Sequence, residues 1–260
     1  MSPLRRVSLR VPTRDAEPLR ARLLALSPGG FEEVDVGAEE IELAVYADDA
    51  DAGRLLAELP GVIVEPVAEG WEDAWRDFHR PVLAGGLWLG PPWESAPDPS
   101  RAVVIDPGRA FGTGAHPTTR LCVELLASSD GRGSLLDVGC GSGVLAIAAA
   151  RLGFASVLAV DVDPIAVATT RANARANGVA VEPTVTDALT APLPRAAVAV
   201  ANVLLGPVEQ ILGRLDSGEA ITSGYLAGER PAHQGWEHVE TLELDGWAAD
   251  RFRRRRPPAT

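Results

Sequence analysis

Lysine is absent from this sequence of 260 residues, because all 24 of its basic residues are arginine. The absence excludes a hydride-transfer site of the Tyr-x-x-x-Lys type. Cysteine occurs only at Cys122 and Cys140, too few for a disulfide framework. The longest apolar run, residues 196–205, is shorter than the roughly 18 residues that a membrane-spanning helix needs. The amino terminus also lacks the apolar centre of a signal peptide. We therefore expect a cytoplasmic protein with no membrane contact.

Positive charge is scarce as well. The net charge of −12 makes a direct nucleic-acid partner unexpected, since phosphate binding relies on basic clusters, and it favours a basic protein partner. Residues 1–70 hold 14 acidic residues against 7 arginines. Within them, residues 31–58 carry ten acidic residues against Arg54 alone, either as a solvated face or as a docking surface for a basic protein. The arginine-rich ends are expected to be solvated; they comprise Arg5, Arg6, Arg251 and Arg253 to Arg256.

The first 68 residues read as a small domain of their own. With 46% apolar and 23% charged residues, the chain has the composition of a globular protein. Period-two and helical patterns follow one another in the order strand, helix, strand, strand, helix, strand. The strand-like runs are 4–11, 31–36, 41–46 and 62–67, and the helix-like runs are 15–26 and 50–59. This order predicts an α+β domain of the ferredoxin-like type over residues 1–68.

Residues 69–100 read as a linker, because they contain four of the six tryptophans and end in a stretch dense in proline and glycine. A short helix over 71–78 presents Trp71, Trp75 and Phe78 at helical spacing, which is typical of an interdomain packing stripe. From residue 101 to 260, strand-like runs alternate with helix-like runs at 117–127, 142–152, 164–177 and 206–214. This alternation predicts an α/β domain with a doubly wound, mostly parallel sheet.

The strongest local motif is SLLDVGCGSGVLAIAAARLG at residues 134–153. A strand, a glycine turn and a helix in this order bring backbone N–H groups and a helix N-terminus against a ligand. Gly139, Gly141 and Gly143 follow a G-x-G-x-G spacing, and Val144 stands where the G-x-G-x-x-G of a dinucleotide site needs its third glycine. The motif predicts a binding site for a flat, polar ligand, and a dinucleotide would have to bind its diphosphate there without the third glycine.

Carboxylates follow the next two predicted strands. Asp161 lies eighteen residues beyond Gly143, where it can accept hydrogen bonds from both hydroxyls of a ribose. Asp163 precedes Pro164 and is expected to cap the following helix. Asp187 follows the third strand, where it either accepts from an adenine amino group or caps a turn.

Two further segments flank the glycine turn. Residues 105–119 (IDPGRAFGTGAHPTT) are rich in glycine, threonine and proline between a strand and a helix, which favours a lid or wall over a ligand with Phe111 as part of it. Thr118 and Thr119 begin the helix, so one of them could act only as its cap, and His116 could be a packed histidine without catalytic work. Residues 199–208 (AVANVLLGPV) place Asn202 at the end of a fourth strand.

These segments together resemble the class I S-adenosylmethionine-dependent methyltransferases, and more closely the PrmA-type bacterial enzymes that methylate ribosomal protein eleven of the large subunit. The resemblance is carried by IDPGRAFGTGAHPTT, DVGCGSG, DVDP and ANVLLGP. It implies a Rossmann-like catalytic domain, S-adenosyl-L-methionine as cofactor, and transfer of methyl groups to lysine and α-amino groups of that basic ribosomal protein. The amino-terminal domain would recognise the substrate.

The resemblance also implies the site residues. It assigns cofactor contacts to Thr119, Gly139, Asp161 and Asn202, to which the reasoning above adds Phe111, Gly141 and Asp187. Asn202 is the expected catalytic residue, because its carboxamide at a strand end can hold the amine that receives the methyl group. No metal is expected, and the chain is expected to be a monomer.

Three alternatives remain open from the sequence. A class I methyltransferase could act on another protein or on a small-molecule amine, although ANVL lacks the N-P-P-Y/F pattern of nucleobase and glutamine methyltransferases. An NAD-dependent oxidoreductase would use a similar sheet, but Val144 and the missing hydride-site residues argue against it. A catalytically silent binding protein is disfavoured because every expected cofactor position is filled.

Overall fold

The computed structural model describes residues 5–27, 31–37, 40–67, 80–106 and 114–255 of the chain. The chain divides into two compact units, one formed mainly by residues 1–78 and a larger one formed mainly by residues 79–107 and 112–260. Each unit has a hydrophobic core of its own. No helix among the described residues has the length and apolar character needed to cross a bilayer.

The smaller unit is a four-stranded antiparallel sheet with two helices. Its elements are β1 Arg5–Pro12, α1 Ala16–Leu26, β2 Glu32–Asp35, β3 Glu40–Ala47, α2 Asp49–Glu58 and β4 Ile63–Pro66. The sheet order is β2-β3-β1-β4, which is the arrangement of the split βαβ unit. The predicted ferredoxin-like domain is confirmed because alternating apolar positions, such as Val7, Leu43 and Val45, bury one sheet face with Leu55 of α2.

Many acidic residues of the smaller unit already have partners within the chain. Glu42 is only 9% exposed and accepts hydrogen bonds from Arg6 at 2.5 Å and from Arg10 at 2.8 Å, and these bonds lower its pKa. The carboxylate of Glu33 accepts two hydrogen bonds from Arg20, one from Nε at 2.7 Å and one from Nη2 at 2.6 Å. Internal arginines therefore neutralise part of the acidic face that the sequence presents.

The larger unit is an α/β structure, as predicted. Its helices are α3 Pro117–Ala127, α4 Val144–Arg151, α5 Pro164–Ala176 and α6 Leu205–Arg214. Its strands are β5 Val82–Ala84, β6 Leu87–Gly90, β7 Ala102–Val104, β8 Ser134–Val138, β9 Ser156–Asp161, β10 Glu182–Val185, β11 Val198–Asn202, β12 Glu219–Leu226, β13 Trp236–Leu244 and β14 Trp247–Arg254.

Seven of these strands form one sheet in the order β10-β9-β8-β11-β12-β14-β13. The first five are parallel, and β14 and β13 add antiparallel at one edge. The order reverses between β8 and β11, which is where open α/β sheets bind ligands. One apolar core includes residues of α3 and α4, and a second includes residues of α6, so both faces of the sheet are covered.

The second half of the predicted linker belongs to the larger unit. β5, β6 and β7 form a separate three-stranded sheet, so the strand near residue 102 pairs with β6 rather than joining the main sheet. Leu87 and Leu89 of β6 are buried in the core of the larger unit, so this part of the predicted linker packs with that unit. The helix predicted at 71–78 lies outside the described residues.

The β13–β14 hairpin was not predicted, and it overturns one expectation about the arginines. Arg251 lies in β14, between β12 and β13, and is 5% exposed. Its guanidinium donates to the carbonyl oxygen of Leu125 at the end of α3 and pairs with Glu219 and Glu240. Arg251 is therefore a buried link between helix and sheet, and the prediction that it is solvated is wrong. Residues 256–260 lie outside the described residues.

Candidate active site

The carboxyl ends of β8, β9, β10 and β11 meet at one edge of the main sheet, because these strands are parallel and adjacent. The glycine turn follows β8, Asp161 ends β9, and Asn202 ends β11. Asp187 lies two residues beyond β10. The fold therefore brings to one edge the candidate residues that the sequence proposed from four separate strands. Phe111 lies outside the described residues.

The glycine turn has a backbone shape that requires glycine. Gly139, Gly141 and Gly143 have φ values of +75°, +54° and +83°, in the left-handed region. A Cβ on Gly139 would lie 2.7 Å from Cγ1 of Val203, so the loop after β11 packs directly on the turn. The amides of Gly139 and Cys140 donate to the carbonyl of Val160 in β9, which ties the turn to the neighbouring strand.

Asp161 is held by the turn that it faces. Its Oδ2 accepts from the amide of Gly141 at 3.0 Å, and its Oδ1 accepts from the amide of Asp163 at 3.0 Å. Each carboxylate oxygen can accept more than one hydrogen bond, so both retain capacity for a ligand hydroxyl. Asp163 caps α5 through the amide of Ile165 at 2.8 Å, with Pro164 at the first helical position, which confirms the predicted cap.

Asp187 makes the contacts of a turn cap. Its carboxylate accepts from the amide of Leu189 at 2.9 Å and from the hydroxyl of Thr190 at 2.8 Å. These two hydrogen bonds lower the pKa of Asp187, so the group is ionised near neutral pH. An ionised carboxylate at this edge can also accept from an amino group, and the ligand role stays a prediction.

Asn202 is tied to the first turn of α3. Its Nδ2 donates to Oγ1 of Thr118 at 3.1 Å and lies 3.5 Å from Oγ1 of Thr119. Both threonines are nearly fully buried, with exposures of 3% and 2%. Among the described residues, none donates a hydrogen bond to Oδ1 of Asn202. The carboxamide thus has one side committed to the protein and one side available.

The helix cap at this position is His116, not a threonine. Its Nδ1 accepts from the amide of Thr118 at 3.3 Å and lies 2.7 Å from the Thr118 hydroxyl. Burial lowers the pKa of His116, which favours the neutral imidazole. Pro117 at the first helical position is the sequence signal that the helix cap falls on residue 116.

Asp137 also lies near this edge of the sheet, and the site prediction left it out. It is 1% exposed at the end of β8, and its Oδ2 accepts from the amide of Ala146 in α4 at 3.0 Å. Its Oδ1 is buried without a hydrogen-bond partner. Burial, with a smaller contribution from Asp161, raises the pKa of Asp137 to about 7. The sequence signal was present, because an acidic residue within an otherwise apolar strand requires a partner.

Other chemistries are not supported at this edge. Cys140 lies in the glycine turn, but burial raises its pKa to about 12, so the thiol is not a ready nucleophile. Within the part of the chain that the structure describes, no three His, Cys, Asp or Glu side chains cluster as metal ligands do.

Exposed apolar side chains border the polar groups. Val162 is 67% exposed directly after Asp161, and Leu189 is 37% exposed two residues after Asp187. Leu204 is 62% exposed two residues after Asn202. The periodic pattern of the strands did not single out these residues, because each lies in a loop beyond its strand. Apolar surface beside a few convergent polar groups is typical of a small-molecule site.

Known proteins are similar to this chain in sequence. The family model described as "Ribosomal protein L11 methyltransferase (PrmA)" matches residues 38–255. A ribosomal protein L11 methyltransferase of Azotobacter vinelandii is 44% identical over 230 residues, 79% of this chain and 78% of the relative. One from Pseudomonas paraeruginosa is 40% identical over 238 residues, 82% of this chain and 80% of the relative.

A solved structure agrees with these relatives. The crystal structure of a ribosomal protein L11 methylase from Lactobacillus delbrueckii subsp. bulgaricus is 28% identical, with a TM-score of 0.57, and covers 65% of this chain and 95% of that one. The glycine turn, the strand-end carboxylate and the strand-end asparagine thus occur in a chain that the family model matches over most of its length. The chain belongs to the ribosomal protein L11 methyltransferase (PrmA) family.

Proposed function

We propose that this protein transfers methyl groups from S-adenosyl-L-methionine to lysine and α-amino groups of ribosomal protein L11. The observation that carries the proposal is the carboxamide of Asn202, whose Nδ2 is held by Thr118 while Oδ1 has no donor among the described residues. It ends β11 of the same sheet whose neighbouring strands lead into the glycine turn and Asp161. A reaction on a ribosomal protein belongs in the cytoplasm, where we expect the enzyme.

The residues at this edge fit the cofactor. When bound, S-adenosyl-L-methionine supplies an electrophilic methyl group on a positively charged sulfur. Asp161 offers its remaining lone pairs to the ribose hydroxyls, and Asp187 offers its own to the adenine amino group. The glycine turn provides a surface without Cβ atoms next to the methionine part. The unpartnered Oδ1 of Asp137 is the natural partner of the methionine ammonium group, because it is buried, acidic and without a donor.

The protein must also prepare the amine that accepts the methyl group. A lysine with a pKa near 10.4 is neutral in roughly one molecule in 10³ at pH 7, which costs about 4–5 kcal/mol. A positive charge nearby lowers that cost by disfavouring the ammonium form. Asn202 can then accept a remaining N–H of the neutral amine on Oδ1, which turns the nitrogen lone pair toward the methyl group.

The smaller unit is the proposed substrate-recognition domain. Residues 31–58 supply its acidity, although Glu33 and Glu42 are paired internally with arginines. Glu40 is exposed on the same unit. A net negative charge over this unit favours a basic protein partner. Deletion of residues 1–68 should leave cofactor binding intact and abolish methylation of the protein, and full methylation by the truncated chain would contradict this role.

Mass spectrometry tests the function directly. Purified L11 is incubated with the protein and S-adenosyl-L-methionine, and the expected result is a mass gain in multiples of one methylene. S-adenosylhomocysteine in place of the methyl donor is the control and should give no gain. If the protein binds the cofactor but does not change the mass of L11, the result would contradict the proposed substrate. It would favour the alternative from the sequence, a methyltransferase that acts on another protein or on a small-molecule amine.

A further inference from the structure

Three side chains form a hydrogen-bonded chain from α3 to the strand end of β11. Nδ2 of Asn202 lies 3.1 Å from Oγ1 of Thr118, and the same oxygen lies 2.7 Å from Nδ1 of His116. Thr118 is 3% exposed, so no bulk water competes for its hydroxyl. Asn202 and Thr118 are 84 positions apart in the sequence, so only the fold brings them together.

The direction of this chain is determined by the helix cap. Nδ1 of His116 lies 3.3 Å from the backbone N–H of Thr118, and it accepts this hydrogen bond in the tautomer in which Nδ1 carries no proton. The only hydrogen between Nδ1 and Oγ1 therefore belongs to Thr118, whose hydroxyl donates to the imidazole. The lone pairs of Oγ1 then face Asn202, and only a donor, Nδ2, can meet them.

We propose that His116 is a positioning residue for methyl transfer, which orients the carboxamide of Asn202 by acting through the hydroxyl of Thr118. The inference rests on the proposed function, in which Oδ1 of Asn202 receives the substrate amine. If the carboxamide of Asn202 were flipped, Oδ1 would face Oγ1 of Thr118, whose hydrogen is already donated to His116. Two acceptors would then face each other in a buried place, and Nδ2 would point at the amine in place of an acceptor.

The protonation state of His116 controls this arrangement. A proton on Nδ1 would make the ring donate to Oγ1, which releases the Thr118 hydroxyl to donate to Asn202 and removes the preference for Nδ2. The ring meets Trp247 of β14 edge-on, with centroids 4.9 Å apart. Arg120 and Glu124 of α3 and Glu243 of β13 line a groove on these two elements, and His116 forms no ion pair with a described residue. Burial alone lowers the pKa of His116, so the neutral, orienting form prevails at pH 7.

A purely structural role for His116 is the competing explanation, since the same nitrogen caps α3. His116→Asn removes the titration of residue 116 but keeps the cap and the acceptor for Thr118, so it isolates the pH response of His116 from its capping role. Asparagine is among the preferred N-cap residues, and its Oδ1 can accept from both the Thr118 amide and hydroxyl, but it does not titrate. His116→Ala removes both the cap and the acceptor.

Kinetics with saturating cofactor and L11 give the first test. His116→Ala and Thr118→Val should lower kcat roughly tenfold or more, because misplaced reacting groups lose rate steeply, while S-adenosylhomocysteine affinity stays within about twofold of wild type. Thr118→Ser and His116→Asn should restore most of kcat. The double variant His116→Ala/Thr118→Val should be no slower than Thr118→Val, because both changes interrupt the same chain. Additive losses, or a failure of His116→Asn to rescue, would overturn the inference.

Nuclear magnetic resonance gives a test that does not depend on activity. The side-chain NH₂ signal of Asn202, assigned by its loss in Asn202→Ala, should shift as pH falls through the lowered pKa of His116. In His116→Asn the same signal should stay constant over that range. An Asn202 signal that ignores His116 in the wild type would refute the positioning role even if L11 is methylated. A responsive signal in a protein that never methylates L11 would instead separate this inference from the proposed function.

Discussion

Asp250 and Asp137 are each buried in a polar cluster of the larger unit, and the two clusters differ in how many hydrogen bonds the carboxylate oxygens accept. Asp250 is 0% exposed on β14 and accepts from the hydroxyls of Tyr225 and Thr241 and from Nε2 of His238. Arg230 adds an ion pair at 3.4 Å. Asp137 is equally buried, but it accepts only one backbone N–H and leaves Oδ1 without a donor.

The difference separates a structural cluster from a binding site. A buried polar group that is fully hydrogen bonded stabilises the fold and needs nothing more. A buried carboxylate oxygen without a donor carries a free-energy cost that a ligand with a positive charge can remove. Asn202 follows the same rule at the same sheet edge, because Nδ2 has a partner and Oδ1 has none among the described residues. Asp137 and Asn202 thus each keep an acceptor oxygen at the edge where the proposed ligands would bind.

The largest effect on stability should come from the cluster around Asp250, in which both carboxylate oxygens are hydrogen bonded. Asp250→Ala leaves Tyr225, His238 and Arg230 without their common acceptor, and removing one partner of a buried pair costs about 3–5 kcal/mol. Urea unfolding at pH 7 measures the loss. Asp216→Ala is the matched control, because that side chain is 71% exposed and its ion pair with Arg195 spans 3.8 Å, so the free energy of unfolding should hardly change. A small effect of Asp250→Ala would remove the distinction between the clusters.

The next largest effect should fall on turnover. Asn202→Ala removes the acceptor that holds the amine and should lower kcat roughly a hundredfold, the order seen when a single transition-state contact is removed. Affinity for S-adenosylhomocysteine should change much less, which calorimetric titration can check. An unchanged kcat at saturation would take Asn202 out of the mechanism.

A smaller effect is expected on cofactor affinity when the unsatisfied carboxylate loses its charge. Asp137→Asn should weaken cofactor binding by roughly tenfold or more, since charge-assisted hydrogen bonds contribute about 1.5–3 kcal/mol. The same change should raise the melting temperature of the free protein at pH 8, because it removes a buried charge whose one hydrogen bond among the described residues comes from the amide of Ala146. The two aspartates therefore differ in sign: Asp250 should stabilise the free protein, whereas ionised Asp137 should destabilise it.

The smallest effect is a pH dependence that follows from Asp137. Its pKa of about 7 in the folded chain lies above the ordinary value, so its stabilising contribution is present below the unfolded pKa and is lost as pH rises through about 7. Cofactor binding needs the ionised form, so affinity should fall by up to about tenfold per pH unit below 7. Calorimetry between pH 5 and 8 on the wild type and on Asp137→Asn checks this, and an equal slope in both would contradict it.

Strand-end motifs were the most predictable part of the site. The glycine turn, Asp161 and Asn202 each follow a strongly apolar strand, and parallel strands in neighbouring βα units end at the same edge. The cap at Asp163 was predictable because Pro164 marks the helix start. The ferredoxin-like order of the smaller unit followed from the succession of strand-like and helix-like runs in its sequence.

Contacts distant in sequence were not predictable. The choice between Thr118 and Thr119 depends on the register between α3 and β11, and the two threonines are equivalent in the motif. A run of arginines is usually exposed, so the sequence did not predict that Arg251 is buried. Its burial follows from the position of β14 between β12 and β13. β5 and β6 were hidden because a Pro- and Gly-rich composition masks short strands.

The chemical character of the edge was determined by the sequence itself, because glycine, aspartate and asparagine at strand ends can do little else than turn the chain and offer polar groups. Which of those groups would remain unsatisfied was decided only by the tertiary structure. Packing of α4 leaves Oδ1 of Asp137 without a donor, and the His116 cap commits one side of Asn202. A hydrogen bond needs two partners within about 3 Å, and residues far apart in the chain meet at that distance only after folding.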